Sequence, residues 1–198
     1  MVDHYERLTG ILRATPQLMQ VLRTVRTLGL PDWLVFSGAI YQPVLNHLTG
    51  RGADHGIKDY DLAYFDGSDL SYEAEDVVIR RVAEAFEEPL RSMVEVRNQA
   101  RVHLWFAAKF GERYARLSCT AEALERFTST AFAIGVRLEA DDRLYIEAPF
   151  GLDDLFALRL RPNPRRHSLH FLRSVSAALR RWPELVIETE PKVGCVSL

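Results

Sequence analysis

Cysteine is scarce in this chain: Cys119 and Cys195 lie far apart, and neither belongs to a Cys-x-x-Cys pair. A zinc ribbon and a disulfide framework are therefore excluded as organising devices, and a reducing cytoplasm is the expected compartment. Long apolar runs are missing too. No stretch approaches the roughly 20 residues of a membrane span, and the first ten residues mix Asp3, His4, Glu6 and Arg7 among apolar ones, so neither an anchor nor a signal peptide is expected. Charge of one sign is not in excess. With 25 Lys and Arg against 27 Asp and Glu, the formal net charge is −2, which argues against a nucleic-acid coat or a membrane-surface binder. A nucleic-acid partner would have to rely on a local basic patch, without support from net charge. Repeats, low-complexity tracts and linkers are absent as well, and 198 residues that are 47% hydrophobic are enough for one ordinary core. One domain over residues 1–198 is expected, with its core at about 29–164 and a helical C-terminal extension at about 165–182.

The pattern that is present alternates between helix and strand. Leu8, Ile11, Leu12, Leu18, Val21, Leu22, Val25 and Leu28 recur at helical intervals, with Pro16 placed to open a second helix and Gly29-Leu30-Pro31 to close it. Trp33-Leu34-Val35-Phe36 predicts a short strand, Ala39 to Leu48 a helix, and Lys58 to Phe65 a second strand. Ser71 is placed to cap a further helix that ends before Pro89. From Met93 to Phe106 the even positions are mostly apolar, and the odd ones carry Glu95, Arg97, Gln99, Arg101 and His103. A hairpin turn at Asn98-Gln99 would mix the two sets, so the parity predicts one long strand with a functional face. Further on, the chain predicts a short helix over Thr120 to Phe127 and strands at Ala131 to Leu138 and Leu144 to Ile146. Helix is expected through Leu160 and again from about Arg165 to Arg181, with Trp182 ending it against the core. The class that follows is α+β.

Chemistry concentrates at Asp59-Tyr60-Asp61. On an extended strand both carboxylates project to one side, while Tyr60 and Leu62 face the other. Two like charges held together favour a divalent cation between them, and hard Mg²⁺ or Mn²⁺ prefers carboxylate oxygens. The plain alternative is that Asp59 closes a turn and Asp61 faces water. Ser37-Gly38, between a strand and a helix, lets the backbone approach a ligand, and the free N–H groups at the helix start suit a phosphate. Arg159, Arg161, Arg165, Arg166, Arg173, Arg180 and Arg181, with His167 and His170, make the last quarter basic. This is either a solvated helix face or a seat for a phosphate-bearing acceptor. Trp33 and Trp105 read as packing residues, Trp105 also as a base-stacking one.

Phe36-Ser37-Gly38-Ala39 followed by Lys58-Asp59-Tyr60-Asp61-Leu62 resembles the nucleotidyltransferase superfamily of the DNA polymerase β type. The runs 58–66, 96–105 and 148–156 are similar to a bacterial branch of nucleotidyltransferase-like proteins. The resemblance covers roughly residues 29–164. It implies a mixed β-sheet flanked by helices, with helical extensions at both ends, and Mg²⁺- or Mn²⁺-dependent transfer of a nucleotidyl group from a nucleoside triphosphate to an unidentified acceptor. Carried over by position, Gly38 takes the turn glycine, and Asp59 and Asp61 take the first two metal-binding carboxylates. Glu95 takes the third and serves as general base. Ser37, Lys58, Arg97, Arg101 and His103 fall to the nucleotide. The chain departs from the pattern at Ala39, where glycine or serine is usual, and in a longer gap from Gly38 to Asp59. A non-catalytic nucleotide- or protein-binding member is thus one alternative. An Asp-x-Asp nucleotide-sugar glycosyltransferase is another.

Overall fold

A five-stranded mixed sheet carries the molecule, in the order β3-β2-β1-β4-β5. The computed structural model describes residues 3–166, 168 and 170–188; His167 and Cys195 lie outside the described residues. Helix α1 (His4–Arg13) is capped by the Asp3 carboxylate, which accepts from the Tyr5 amide. Helix α2 (Pro16–Leu28) opens on proline and ends on Gly29 in the left-handed conformation, as the sequence predicts. Then come β1 (Leu34–Phe36), α3 (Gly38–Leu48), β2 (Tyr60–Tyr64) and α4 (Tyr72–Glu84), the last capped by Ser71. They are followed by α5 (Leu90–Met93), β3 (Val94–Asn98), α6 (Val102–Phe110) and α7 (Ala121–Leu124). The chain continues through β4 (Gly135–Leu138), β5 (Leu144–Glu147), α8 (Asp153–Phe156), β6 (Arg159–Leu160), α9 (Phe171–Leu179) and β7 (Val186–Ile187).

Register decides which side chains share a face. Strand β1 runs antiparallel to β2 and β4, and β2 runs parallel to β3. One face bears Val35, Tyr60, Leu62, Tyr64, Val96, Val136 and Leu138, and all of them enter the main core with α1, α2, α3 and α4. Leu34, Phe36, Asp61, Ala63, Glu95 and Arg97 take the other face. Only a small second cluster covers it, in which Leu34 packs on Leu124 and Ala133 with Phe36, Phe127 and Phe150 at its edge. The sheet is therefore sealed on one side and half open on the side that carries its polar residues. Among the described residues no helix is long and apolar enough to cross a membrane.

Four expectations are corrected. The long strand over Met93 to Phe106 ends at Asn98, because the Asn98 side chain offers the backbone a better set of partners than a ladder. Its Oδ1 accepts from the Ala100 and Asp66 amides, both at 3.1 Å, and its Nδ2 donates to the Asp66 carbonyl at 2.8 Å. The chain turns and becomes α6. The strand expected from Ala131 begins instead at Gly135, after a single 3₁₀ turn over Thr130–Phe132. The helix expected through Leu160 stops at Phe156, since Leu158 sits at φ 55, a conformation no L-residue continues as α-helix. Its continuation is β6, paired with β7. Helix α9 is shorter than predicted, yet Phe171, Val175, Ala178 and Trp182 all enter the main core.

Candidate active site

The site begins at the β1–α3 turn. Ser37 holds φ 66 without being glycine, a conformation that persists only where the surroundings impose it. Two constraints are visible. Its carbonyl accepts from the Ile40 and Tyr41 amides at 3.0 and 3.2 Å, and its side chain lies near enough to Asp61 to favour the ionised carboxylate. Gly38 begins α3 fully buried, and a Cβ there would stand 2.5 Å from Gln42 Nε2. A larger residue at this turn would therefore have to push the Gln42 side chain aside.

The acids come together by register. Asp61 lies level with Glu95 across the β2–β3 pair and with Phe36 across the β1–β2 pair. Asp59 precedes β2 by one residue. Burial pushes the Asp61 carboxyl up to about 6, and the neighbouring Asp59 and Glu95 charges add to it; the Ser37 hydroxyl and Arg97 only partly offset this. Asp59 is raised as well, first by burial and then by Glu95, against the pull of Arg181 and Lys58. Elevation by neighbouring acids marks carboxylates close enough to repel. Among the described residues no three His, Cys, Asp or Glu side chains close into a ready coordination set. Glu95 is exposed and leans toward Arg97, at 3.9 Å. The donor set nonetheless fits a hard divalent cation: three carboxylates on one sheet face, with Asp61 destabilised as an anion by Asp59 and Glu95, and Asp59 by Glu95.

Beside the acids opens a cleft of about 470 Å³. Ser37, Tyr41, Arg97 and Arg181 form the end next to the carboxylates, and Trp105, Phe106, Tyr114, Arg126, Phe127 and Arg166 line the rest. No acidic side chain is among its lining residues. Against a whole-chain charge of −2, this is a local concentration of positive charge on aromatic walls.

The sequence-predicted residues divide accordingly. Asp59, Asp61, Glu95, Ser37, Gly38 and Arg97 are brought together, with Lys58 exposed at the edge where its charge reaches Asp59. Arg101 and His103 are not, because β3 ends before them. The Arg101 guanidinium is buried, donating to the Leu70 carbonyl at 2.8 Å and to the Glu75 carboxylate. His103 rides on α6, where its buried Nδ1 has no hydrogen-bond partner. The basic last quarter is largely a paired surface: Arg159 and Arg161 meet Asp154 at 3.4 and 3.2 Å, and Arg165 meets Glu125 at 2.7 Å. Among the described residues of that run, only Arg166 and Arg181 reach the cleft. Tyr41, Tyr114 and Arg126 were not singled out, since an aromatic or an arginine inside an amphipathic segment carries no local signal of a cleft. Trp33 is core, while Trp105 is half-buried in the cleft wall.

The loop that delivers Asp59 is fastened from behind. Asn46 Nδ2 donates to the Ala53 and His55 carbonyls at 3.0 and 2.8 Å, its Oδ1 accepts from Trp182 Nε1 at 2.8 Å, and Arg181 donates to the Gly56 carbonyl at 2.9 Å. Asn46→Ala is expected to strip a fully buried side chain's three hydrogen-bond partners at once and to destabilise the protein by about 2–3 kcal/mol. Urea denaturation measures the cost. Faster amide exchange at residues 53–59 than in α2 is the expected local sign; uniform acceleration would show that the clamp does not act on this loop.

A nucleotidyltransferase family model matches residues 23–187. Among solved structures, one described as a CCA-adding enzyme head domain is 22% identical, covers 96% of this chain and 98% of its own, and superposes with a TM-score of 0.76. A CCA-adding enzyme in complex with CTP is 16% identical and covers 91% of this chain at a TM-score of 0.51, and the match spans 43% of that longer chain. At these identities the likeness is one of fold. No curated protein gives a significant match.

Proposed function

The chain belongs to the nucleotidyltransferase family, and from that premise we propose that it transfers a nucleoside monophosphate from a nucleoside triphosphate to an acceptor hydroxyl, with Asp59, Asp61 and Glu95 as its functional acids. The observation that carries the reading is the register of β2 on β3. It sets Asp61 level with Glu95, two residues after Asp59, on the open sheet face beside the strained Ser37-Gly38 turn. Asp59 and Asp61, with Glu95 as third donor, would hold Mg²⁺ or Mn²⁺. Such a cation, when bound, neutralises phosphate charge and polarises the α-phosphoryl group.

The rest falls to the protein's own groups. Arg97 and Arg181 border the carboxylates and face the cleft, so they are placed to take triphosphate oxygens. The strained Ser37 stands beside Asp61, and Gly38 lets the α3 backbone approach a phosphate. In the transfer, the acceptor oxygen bonds to the α-phosphorus as the α–β phosphoanhydride bond breaks. Pyrophosphate leaves with the bond's electron pair, and the hydroxyl proton passes to Glu95, the exposed acid of the three.

The test is incubation of the protein with each α-³²P-labelled nucleoside triphosphate, Mg²⁺ and a cell extract. A labelled acceptor and released pyrophosphate are expected, both lost with chelator and with Asp61→Asn. Tight nucleotide binding without pyrophosphate release would favour a non-catalytic member. Turnover of UDP-sugars but not of triphosphates would favour a glycosyltransferase.

A further inference from the structure

The cleft has a second cationic pole that the donor nucleotide does not require. Arg97 and Arg181 act on the carboxylates; Arg126 and Arg166 are absent from the charges that shift either Asp59 or Asp61. They lie instead beside Tyr114, whose hydroxyl burial raises to about 12 against the pull of both arginines. Arg166 is spoken for, donating to the Glu112 carboxylate and to the Arg126 carbonyl, with its guanidinium 5.3 Å from the centre of the Phe106 ring. Arg126 is not. Its Nε is buried without an acceptor, and it has no ion pair among the described residues. Glu122, one turn earlier, accepts from the Ser118 hydroxyl and amide instead and feels Arg126 only weakly. A guanidinium that lines a cleft with no ion pair has N–H groups to offer an anionic oxygen that enters there.

Around this spare cation stand Trp105, Phe106 and Tyr114, with the Phe106 and Tyr114 rings 4.5 Å apart. A nucleobase can stack on these rings and accept from a guanidinium, but being neutral it leaves the charge uncompensated. A molecule with both a ring and an anionic group uses both features. A cleft of about 470 Å³ is the size of a small-molecule site.

We propose that the Arg126 end of the cleft binds the acceptor, and that the acceptor is a small ring-bearing phosphomonoester. The assignment rests on the nucleotidyltransferase reading for its role but not for its binding chemistry. The acceptor's phosphate sits on Arg126, its ring lies on Phe106 and Tyr114, and its hydroxyl points toward the carboxylates.

Phenyl phosphate is the probe, titrated calorimetrically into the full chain with and without saturating Mg²⁺ and α,β-methylene-ATP. Binding of about one equivalent is expected in both cases. Arg126→Gln should weaken it about tenfold or more while changing the affinity for the ATP analogue by less than about twofold, and Arg126→Lys should fall between. Benzoate, tested in parallel, should bind more weakly, since it offers one oxygen fewer. Competition between phenyl phosphate and the ATP analogue would overturn the proposal by assigning Arg126 to the donor. Equal binding by wild type and Arg126→Gln would overturn it too. If the ATP analogue fails to bind but phenyl phosphate still depends on Arg126, the nucleotidyl-transfer reading fails and the anion site stands.

Discussion

Asp61→Asn is expected to make the metal-free protein more stable at pH 8 while abolishing nucleotidyl transfer. The Asp61 carboxyl is raised from its ordinary 3.8 to about 6, first by burial and then by Asp59 and Glu95. An acid whose folded-state value is raised binds its proton more tightly in the folded chain, so it favours folding where it is protonated in both states. Between about pH 4 and 6 the unfolded chain ionises and the folded one resists; above 6 both are ionised and the full penalty of a crowded, part-buried carboxylate is present. An amide of the same shape never ionises. The variant should gain roughly 2–3 kcal/mol at pH 8, or about 4–10 °C in Tm, and the gain should vanish near pH 4. Mg²⁺ should narrow the gap by stabilising the wild type alone. Transfer should fall at least about a hundredfold. Thermal melts from pH 4 to 8, with and without Mg²⁺, decide it: a gain independent of pH would mean that Asp61 is not destabilised by charge.

The same residues show why part of the site was legible in the sequence. Period two around Tyr60 puts Asp59 and Asp61 on one face, because Tyr60 and Leu62 must be buried on the other, and both are. The Ser37-Gly38 turn was legible for a similar reason: strand and helix periods meet there. What could not be read locally was the partner strand. Glu95 earns its place only through the parallel pairing of β2 with β3, a contact made across α4. The cleft was less legible still. Its walls come from α6, α7, α9 and the segments between them, and whether Arg126 meets a carboxylate depends on how those segments pack, which no spacing encodes.

Arg101→Ala is expected to unfold the protein more readily than any change in the cleft, although in sequence Arg101 looks like a sibling of Arg97. Parity assigned both to one functional face, and parity fails at Asn98. Beyond that turn Arg101 points inward, 8% exposed, and meets Glu75, 4% exposed, near the start of α4. The Glu75 carboxylate also accepts from the Asn98 amide at 2.8 Å, and Arg101 also donates to the Leu70 carbonyl. One buried pair therefore fastens the end of β3, the loop before α4 and the start of α6. Removing the cation leaves a buried carboxylate with its charge uncompensated, at a cost of about 3–5 kcal/mol. Arg101→Met with Glu75→Leu removes both charges and should recover much of that loss, since two apolar groups of similar size are tolerated where one ion is not. Arg97→Ala, exposed on the strand, should change stability by less than about 0.5 kcal/mol and raise KM for the triphosphate. Urea midpoints for the four proteins test the contrast. A mild Arg101→Ala, or a double variant no better than the single, would mean the pair does not hold this corner of the fold, and Arg101 would return to the list of residues free to meet a nucleotide.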